Sequence, residues 1–208
     1  MRRVLLVLAV LATVVFAGNL RLDRPLPVSG TDDLLQYDDG SAFWLTWGGL
    51  YRGTWFNVVD FLSGGTGASL NNLEFWFYHH ASYPWDTASF YADLYNGDAA
   101  APVTQLDETS VTAVHYSPVY ANYGSAITTE ANFWGLVNSS MSAGGWPAIL
   151  GDNSANPTSH SFFSDDFIVW EPWVLSGATA NDYFVRANGT ILTGALEQST
   201  WGSIKTLY

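Results

Sequence analysis

Alternation of apolar and polar side chains over short stretches is the feature that most constrains what this chain can fold into. It is clearest in residues 73–78, where one side is purely apolar and the other carries Glu74, Trp76 and Tyr78. Successive side chains of a β-strand point to opposite faces of a sheet. We therefore expect a strand whose first side lies in a core. Its second side should form a half-wet surface, which suits rings that carry polar atoms.

Similar stretches recur along the chain and are separated by turn-forming residues. They lie at residues 42–47, 51–62, 89–96, 102–106, 110–116, 132–137, 167–170, 182–187 and 191–196. Residues 63–69 and 120–125 are predicted loops, and 138–165 is the longest irregular stretch, a length that usually carries function. A helical repeat is not sustained after the N-terminal segment. The pattern predicts an all-β fold, a two-sheet antiparallel β-sandwich of the jelly-roll type, with a barrel as the alternative.

The first seventeen residues have the pattern of a secretory signal peptide. Arg2 and Arg3 precede an apolar run at 4–15, and Ala17 ends a small-residue cleavage site. The run is short for a bilayer span, so a membrane anchor is the weaker alternative. We predict a secreted protein, extracellular or at the cell surface, without a transmembrane span. Its predicted parts are a signal peptide at 1–17, an extended segment at 18–36, a β-sandwich domain at 37–196 and a tail at 197–208.

Charge and cysteine content narrow the classes of partner. The chain has 7 Lys and Arg residues against 19 Asp and Glu residues, a formal net charge of −12, and no cysteine. Binding to phosphates requires clustered Lys and Arg, so nucleic acid is not expected as a partner. A chain of 208 residues can bury a sufficient core without disulfide bonds.

Aromatic side chains are the most suggestive feature for function. They make up 16% of the residues, whereas charged residues make up 12% against roughly 25% in ordinary domains. Flat rings can stack on the C–H faces of sugars. The sequence predicts one platform on a single sheet, at Trp76, Tyr78, Tyr91 and Tyr95, and a second in loops, at Trp85 and Trp146. The alternative is that these rings pack in the core or against another subunit.

Acidic residues at predicted turns suggest an ion site. Asp38 and Asp39 are the best candidates, because Gly40 lets the loop fold tightly around an ion. Calcium takes about 6–8 oxygen ligands from carboxylates and loop carbonyls. The alternative is that each aspartate accepts hydrogen bonds from its own turn. Calcium is therefore predicted as an optional structural ion, and no cofactor is required.

Catalytic motifs are much weaker than the aromatic signal. Glu74 and Asp93, each on a predicted strand beside aromatic residues, form the sharpest candidate for a glycoside-hydrolase pair of carboxylates. The four histidines show neither a metal-binding spacing nor a nucleophile motif nearby. We therefore predict no catalytic residues and a protein that is not an enzyme.

Several short motifs occur in an order that resembles a known kind of domain. They are 37–40 (Tyr-Asp-Asp-Gly), 133–135 (Phe-Trp-Gly), 147–152 (Pro-Ala-Ile-Leu-Gly-Asp), 182–187 (Asp-Tyr-Phe-Val-Arg-Ala) and 200–205 (Thr-Trp-Gly-Ser-Ile-Lys). This order resembles an uncharacterised β-sandwich accessory domain of secreted proteins from environmental bacteria. The resemblance covers most of the chain and implies export and a sandwich fold rather than a particular activity.

The sequence as a whole predicts a non-catalytic binding or adhesion module at the cell surface. Its expected ligand is carbohydrate or another surface polymer, bound through exposed aromatic residues. The alternative is a self-assembling structural subunit of an extracellular filament or surface layer, joined through the terminal segments 19–28 and 197–208. A glycan-active enzyme is the third hypothesis.

Overall fold

Antiparallel β-strands form almost all of the regular structure. The structure is a computed structural model that describes residues 33–153, 157–175 and 179–194. The predicted signal peptide at 1–17, most of the extended segment at 18–36 and the tail at 197–208 lie outside the described residues. Within the described ranges, no helix has the length and apolarity needed to cross a membrane.

The described residues form fourteen strands and one 3₁₀ turn at Val58–Asp60. The strands are β1 (Asp33–Leu35), β2 (Trp44–Thr46), β3 (Tyr51–Asn57), β4 (Gly65–Trp76), β5 (Ser89–Gly97), β6 (Pro102–Thr112), β7 (Pro118–Thr128), β8 (Asn132–Asn138), β9 (Ile149–Gly151), β10 (Ser161–Ser164), β11 (Glu171–Pro172), β12 (Val174–Leu175), β13 (Thr179–Ala180) and β14 (Val185–Thr193).

Two larger sheets hold most of these strands. The four-stranded sheet has the order β1-β14-β4-β7, and the six-stranded sheet has the order β11-β10-β3-β8-β5-β6. Two small pairs, β2-β9 and β12-β13, complete the described strands. The strands pair antiparallel in both sheets, with long ladders such as β14 on β4 and β5 on β8.

The main core lies between the two larger sheets. Phe75 of β4 meets Phe90 of β5 with ring centroids 5.4 Å apart, and both side chains are fully buried. Leu73 and Val185 from one sheet join Leu94 and Val137 from the other in the same buried cluster. The fold is therefore an all-β, β-sandwich-like arrangement, as the alternation predicts. The jelly-roll connectivity stays a prediction.

Three local expectations were wrong. The stretch 63–69 is not all loop, because β4 begins at Gly65 and pairs with β14. The stretch 120–125 is not a loop, because it lies inside β7. Residues 167–170 do not form a strand: Asp166 accepts hydrogen bonds from the backbone N–H groups of Ile168 and Val169 and turns the chain. Small polar residues have low strand propensity. The first two stretches contain strand residues because neighbouring strands pair with them.

Candidate functional site

Trp76 is not part of an exposed platform. Its side chain is 4% exposed and packs in a second cluster with Ala42, Leu150 and Phe184. Its indole N–H donates a hydrogen bond to Glu74 at 2.6 Å. The outer face of β4 is therefore covered by chain segments from elsewhere, and the expectation of a wet face at Trp76 was wrong. Alternation separates two faces, but it cannot show that both are covered.

Asp38 is held in a buried ion pair. The guanidinium of Arg186 donates to both carboxylate oxygens of Asp38, at 2.9 and 2.6 Å, and to Glu74 at 3.2 Å. Asp38 is 3% exposed, whereas Asp39 is exposed and accepts the backbone N–H of Ser41. Burial alone would lower the pKa of Arg186, but its bonds and charge interactions with Asp38 and Glu74 raise it.

This ion pair bears on the calcium prediction. Both oxygens of Asp38 already accept hydrogen bonds from the arginine fork, so a cation there would have to displace it. Among the residues that the structure describes, no group of three or more His, Asp or Glu side chains is arranged to hold a metal ion. Calcium at Asp38 and Asp39 stays a prediction.

Tyr91 and Tyr95 lie on a different sheet from Trp76 and Tyr78. They flank Asp93 on the outer face of β5 in the six-stranded sheet, while Trp76 ends β4 in the four-stranded sheet. The four aromatic residues therefore do not form one platform, and that expectation was wrong. Tyr78 lies beyond the end of β4, half-buried against His115 with ring centroids 4.5 Å apart.

The carboxylate pair Glu74 and Asp93 is not formed. Glu74 belongs to the outer face of the four-stranded sheet and is bonded to Arg186, whereas Asp93 lies on the outer face of the other sheet. The two sheets with their core separate the two carboxylates. The glycoside-hydrolase hypothesis was based on this pair, so it no longer has candidate catalytic residues.

Asp93 has an unusual environment of its own. It is 1% exposed, its Oδ2 accepts the Asn138 side-chain N–H at 3.1 Å, and its Oδ1 is buried without a hydrogen-bond partner. Directly across the strand pair stands Glu108 of β6. Burial raises the pKa of Asp93 to about 7; the bond from Asn138 opposes this rise, and the charge of Glu108 adds to it.

Two tyrosines complete this surface. Tyr51 of β3 and Tyr95 lie on the same outer face, and both are half-buried. Burial, with the charges of Asp93 and Glu108, raises the pKa of Tyr95 to about 12 and also raises that of Tyr51. We call Tyr51, Asp93, Tyr95 and Glu108 the acid–tyrosine face.

The loop between β10 and β11 covers part of the same sheet. Phe167 packs on Tyr51 and Tyr95, with ring centroids 4.8 and 5.2 Å apart, and Trp170 packs on Trp134 at 5.1 Å. This loop leaves Glu108 exposed at one side. The outer sheet face is thus partly capped rather than a flat open platform.

Three aromatic rings stack at one end of the molecule, on loops. Trp47 lies between Trp146 and Tyr83: its ring centroid is 5.1 Å from that of Trp146, with planes 20° apart, and 4.8 Å from that of Tyr83. Tyr83 is 39% exposed, and both tryptophans are half-buried. His80 continues the row, 5.4 Å from Tyr83. We call Trp47, Tyr83 and Trp146 the aromatic stack.

Hydrogen bonds and tight turns hold these loops in place. Asp86 accepts bonds from the Ser142 hydroxyl and the Ala143 backbone, each at 2.8 Å. Desolvation alone would raise the pKa of Asp86, but these hydrogen bonds lower it. Gly145 has φ +76°, and a Cβ there would lie 2.9 Å from the backbone nitrogen of Gly48. The loops of Trp47 and Trp146 therefore pack backbone against backbone, which fixes the two rings relative to each other.

Sequence reasoning found only part of this stack. Trp146 was predicted as a ligand contact and is in it, whereas Trp85 packs on Phe77 and His79 instead. Trp47 was missed because it is the last residue of the strand-like stretch 42–47 and was assigned to that strand. Its signal is nevertheless present: a tryptophan next to a Gly-Gly pair occurs at 47–49 and again, in reverse order, at 144–146.

Comparison with family models, with curated proteins and with solved structures finds no match for this chain.

Proposed function

We propose that this protein is an exported, non-catalytic module that binds carbohydrate or a related surface polymer at the cell surface. The aromatic stack is the proposed binding surface. Trp146 and Tyr83 at the two ends of the stack offer the flat apolar faces on which sugar C–H groups pack, and Tyr83 and His80 add polar atoms for hydroxyl groups. The expectation of export depends on the sequence pattern of residues 1–17.

The observation that supports this proposal most is the alignment of three rings on interlocked loops. Trp47, Tyr83 and Trp146 come from three separate loops, yet their ring planes follow one another at about 5 Å. Rings that are already ordered lose little conformational entropy on binding.

The test is binding to surface polysaccharides before and after removal of single rings. We expect Tyr83→Ala and Trp146→Ala each to weaken binding by about tenfold or more on a glycan array and in titration calorimetry, a loss of about 1.4 kcal/mol or more. Tyr83→Ala is the clearer test, because Tyr83 is more exposed than Trp146 and its removal should disturb the packing less.

Tyr91→Ala is the matched control, because Tyr91 is a half-buried tyrosine on the outer face of β5, away from the stack. Its binding should match that of the unaltered protein. Unchanged binding in both stack variants would overturn the proposal. A loss in Tyr91→Ala alone would move the binding surface to the six-stranded sheet.

A further inference from the structure

The aromatic stack presents hydrogen-bond donors as well as ring faces. Among the residues that the structure describes, the indole N–H groups of Trp47 and Trp146 have no hydrogen-bond acceptor, and both remain accessible to solvent. By contrast, the indole N–H groups of Trp76, Trp134 and Trp170 donate to oxygen atoms of the protein. The two indole donors of the stack are therefore available to an acceptor on a ligand.

His80 adds a donor of the same kind at one end of the row. Its Nδ1 atom accepts the backbone N–H of Ser82 at 3.1 Å. A neutral imidazole carries one hydrogen, so the hydrogen of His80 is on Nε2 and that atom is a donor. The ring centroid of His80 lies 5.4 Å from that of Tyr83. The row therefore combines apolar ring faces with N–H donors.

Gly144 keeps the indole N–H of Trp146 open. A Cβ at Gly144 would lie 2.7 Å from Nε1 and 3.1 Å from Cδ1 of Trp146. Gly145 has φ +76°, a conformation that favours glycine, whereas the φ of Gly144 does not lie in that region. A glycine at position 144 therefore provides space beside the indole N–H rather than a special backbone conformation.

A negative charge beside the stack narrows the kind of acceptor that fits. Asp86 joins the loop of Tyr83 to the loop of Trp146 through its hydrogen bonds from Ser142 and Ala143. Asp86 is exposed, so its carboxylate is charged at neutral pH, and the whole chain has a formal net charge of −12. Carboxylate, sulfate and phosphate groups on a ligand are repelled by these charges. The favoured acceptor is an uncharged carbonyl oxygen.

We propose that the aromatic stack recognises acetamido groups, so that the polymer it binds is an N-acetylated amino-sugar polysaccharide. The methyl of an acetamido group packs on a ring face, and its carbonyl oxygen accepts the indole N–H of Trp146. A sugar hydroxyl is a weaker acceptor and brings no methyl. This inference rests on the proposed function, because it names the ligand class of the same surface.

The experiment compares three oligosaccharides of equal length by titration calorimetry at about 0.15 M salt. Chitin, cellulose and chitosan oligosaccharides have the same backbone linkage and differ only in one substituent, which is acetamido, hydroxyl or ammonium. The acetamido oligosaccharide should bind about three- to tenfold more tightly than the hydroxyl one, the worth of one net hydrogen bond. The ammonium oligosaccharide should not bind more tightly than the acetamido one.

Two variants test the indole N–H directly. Trp146→Phe keeps a flat ring but removes the donor, and Gly144→Ala places a methyl beside it. Each should bind the acetamido and hydroxyl oligosaccharides with equal affinity. The matched controls are Trp170→Phe, whose ring packs on Trp134 away from the stack, and Gly124→Ala, where no atom lies within 4 Å. Both controls should keep the full preference.

Three results would overturn this inference while leaving the proposed function in place. They are equal binding of the acetamido and hydroxyl oligosaccharides by the unaltered protein, tightest binding of the ammonium oligosaccharide, and a preference that survives in both Trp146→Phe and Gly144→Ala. Binding of other surface polysaccharides but of none of the three oligosaccharides would also overturn it alone. Absence of binding to every polysaccharide would overturn the proposed function as well.

Discussion

Single buried polar residues in this protein have environments that set the pH response of its stability. Asp93 is the clearest case, because burial holds its pKa near 7 while an aspartate in the unfolded chain ionises near pH 4. The folded protein therefore binds a proton that the unfolded chain has released between about pH 4 and pH 7. Stability falls as the pH rises through this window, and the full cost of a buried carboxylate applies above it.

We expect Asp93→Asn to stabilise the protein, because the neutral amide fits the same space without this cost. The free energy of unfolding of Asp93→Asn should equal that of the unaltered protein near pH 4. The advantage of the variant should grow up to pH 7 and then level off at about 1–3 kcal/mol. Denaturant unfolding at several pH values measures it. Asp98→Asn, at an exposed site, is the control for the removal of one carboxylate from the surface. A constant difference for Asp93→Asn would show that its carboxyl titrates normally.

At the scale of single residues, the sequence predicted turns better than it predicted which side chains form hydrogen bonds or ion pairs with each other. The turn at Asp38-Asp39-Gly40 was predicted and is present, with Gly40 donating its N–H to Asp38. The partner of Asp38 was not predicted, because Arg186 lies 148 positions away. Local hydrogen bonds follow from neighbouring residues, whereas an ion pair between distant positions depends on the finished fold. The same reason explains why Trp47 and Trp146 could not be paired beforehand.

At the scale of strands, close backbone contact limits which residues β3 can carry. Gly53 lies opposite Leu136 of β8, and a Cβ at Gly53 would be 2.4 Å from the carbonyl oxygen of Gly135. We expect Gly53→Ala to lower the free energy of unfolding by about 1–3 kcal/mol, because a backbone atom cannot move aside as a side chain does. Gly124→Ala, where no atom lies within 4 Å, is the control. Equal stability of the two variants would contradict the close packing.

The strands that sequence reasoning located are those with strong alternation. β5 and β8 were predicted within a residue of their observed ends. β7 was missed because Asn122, Gly124 and Ser125 indicate a loop by composition. Its conformation comes from pairing with β4, which the sequence of β7 alone does not encode. Edge strands with small polar residues are thus the elements for which pattern reasoning was weakest.

At the scale of the whole molecule, the excess of negative charge sets how stability responds to salt. Seven basic residues cannot neutralise nineteen acidic ones, so folding brings unpaired carboxylates closer together. Salt shortens the screening length from about 30 Å at 0.01 M to about 8 Å at 0.15 M. We expect the melting temperature of the protein at pH 7 to rise by about 2–4 °C over this range. The rise should shrink at pH 4.5, where protonation reduces the repulsion, and a fall at pH 7 would mean that attractive pairs such as Arg186 with Asp38 outweigh it.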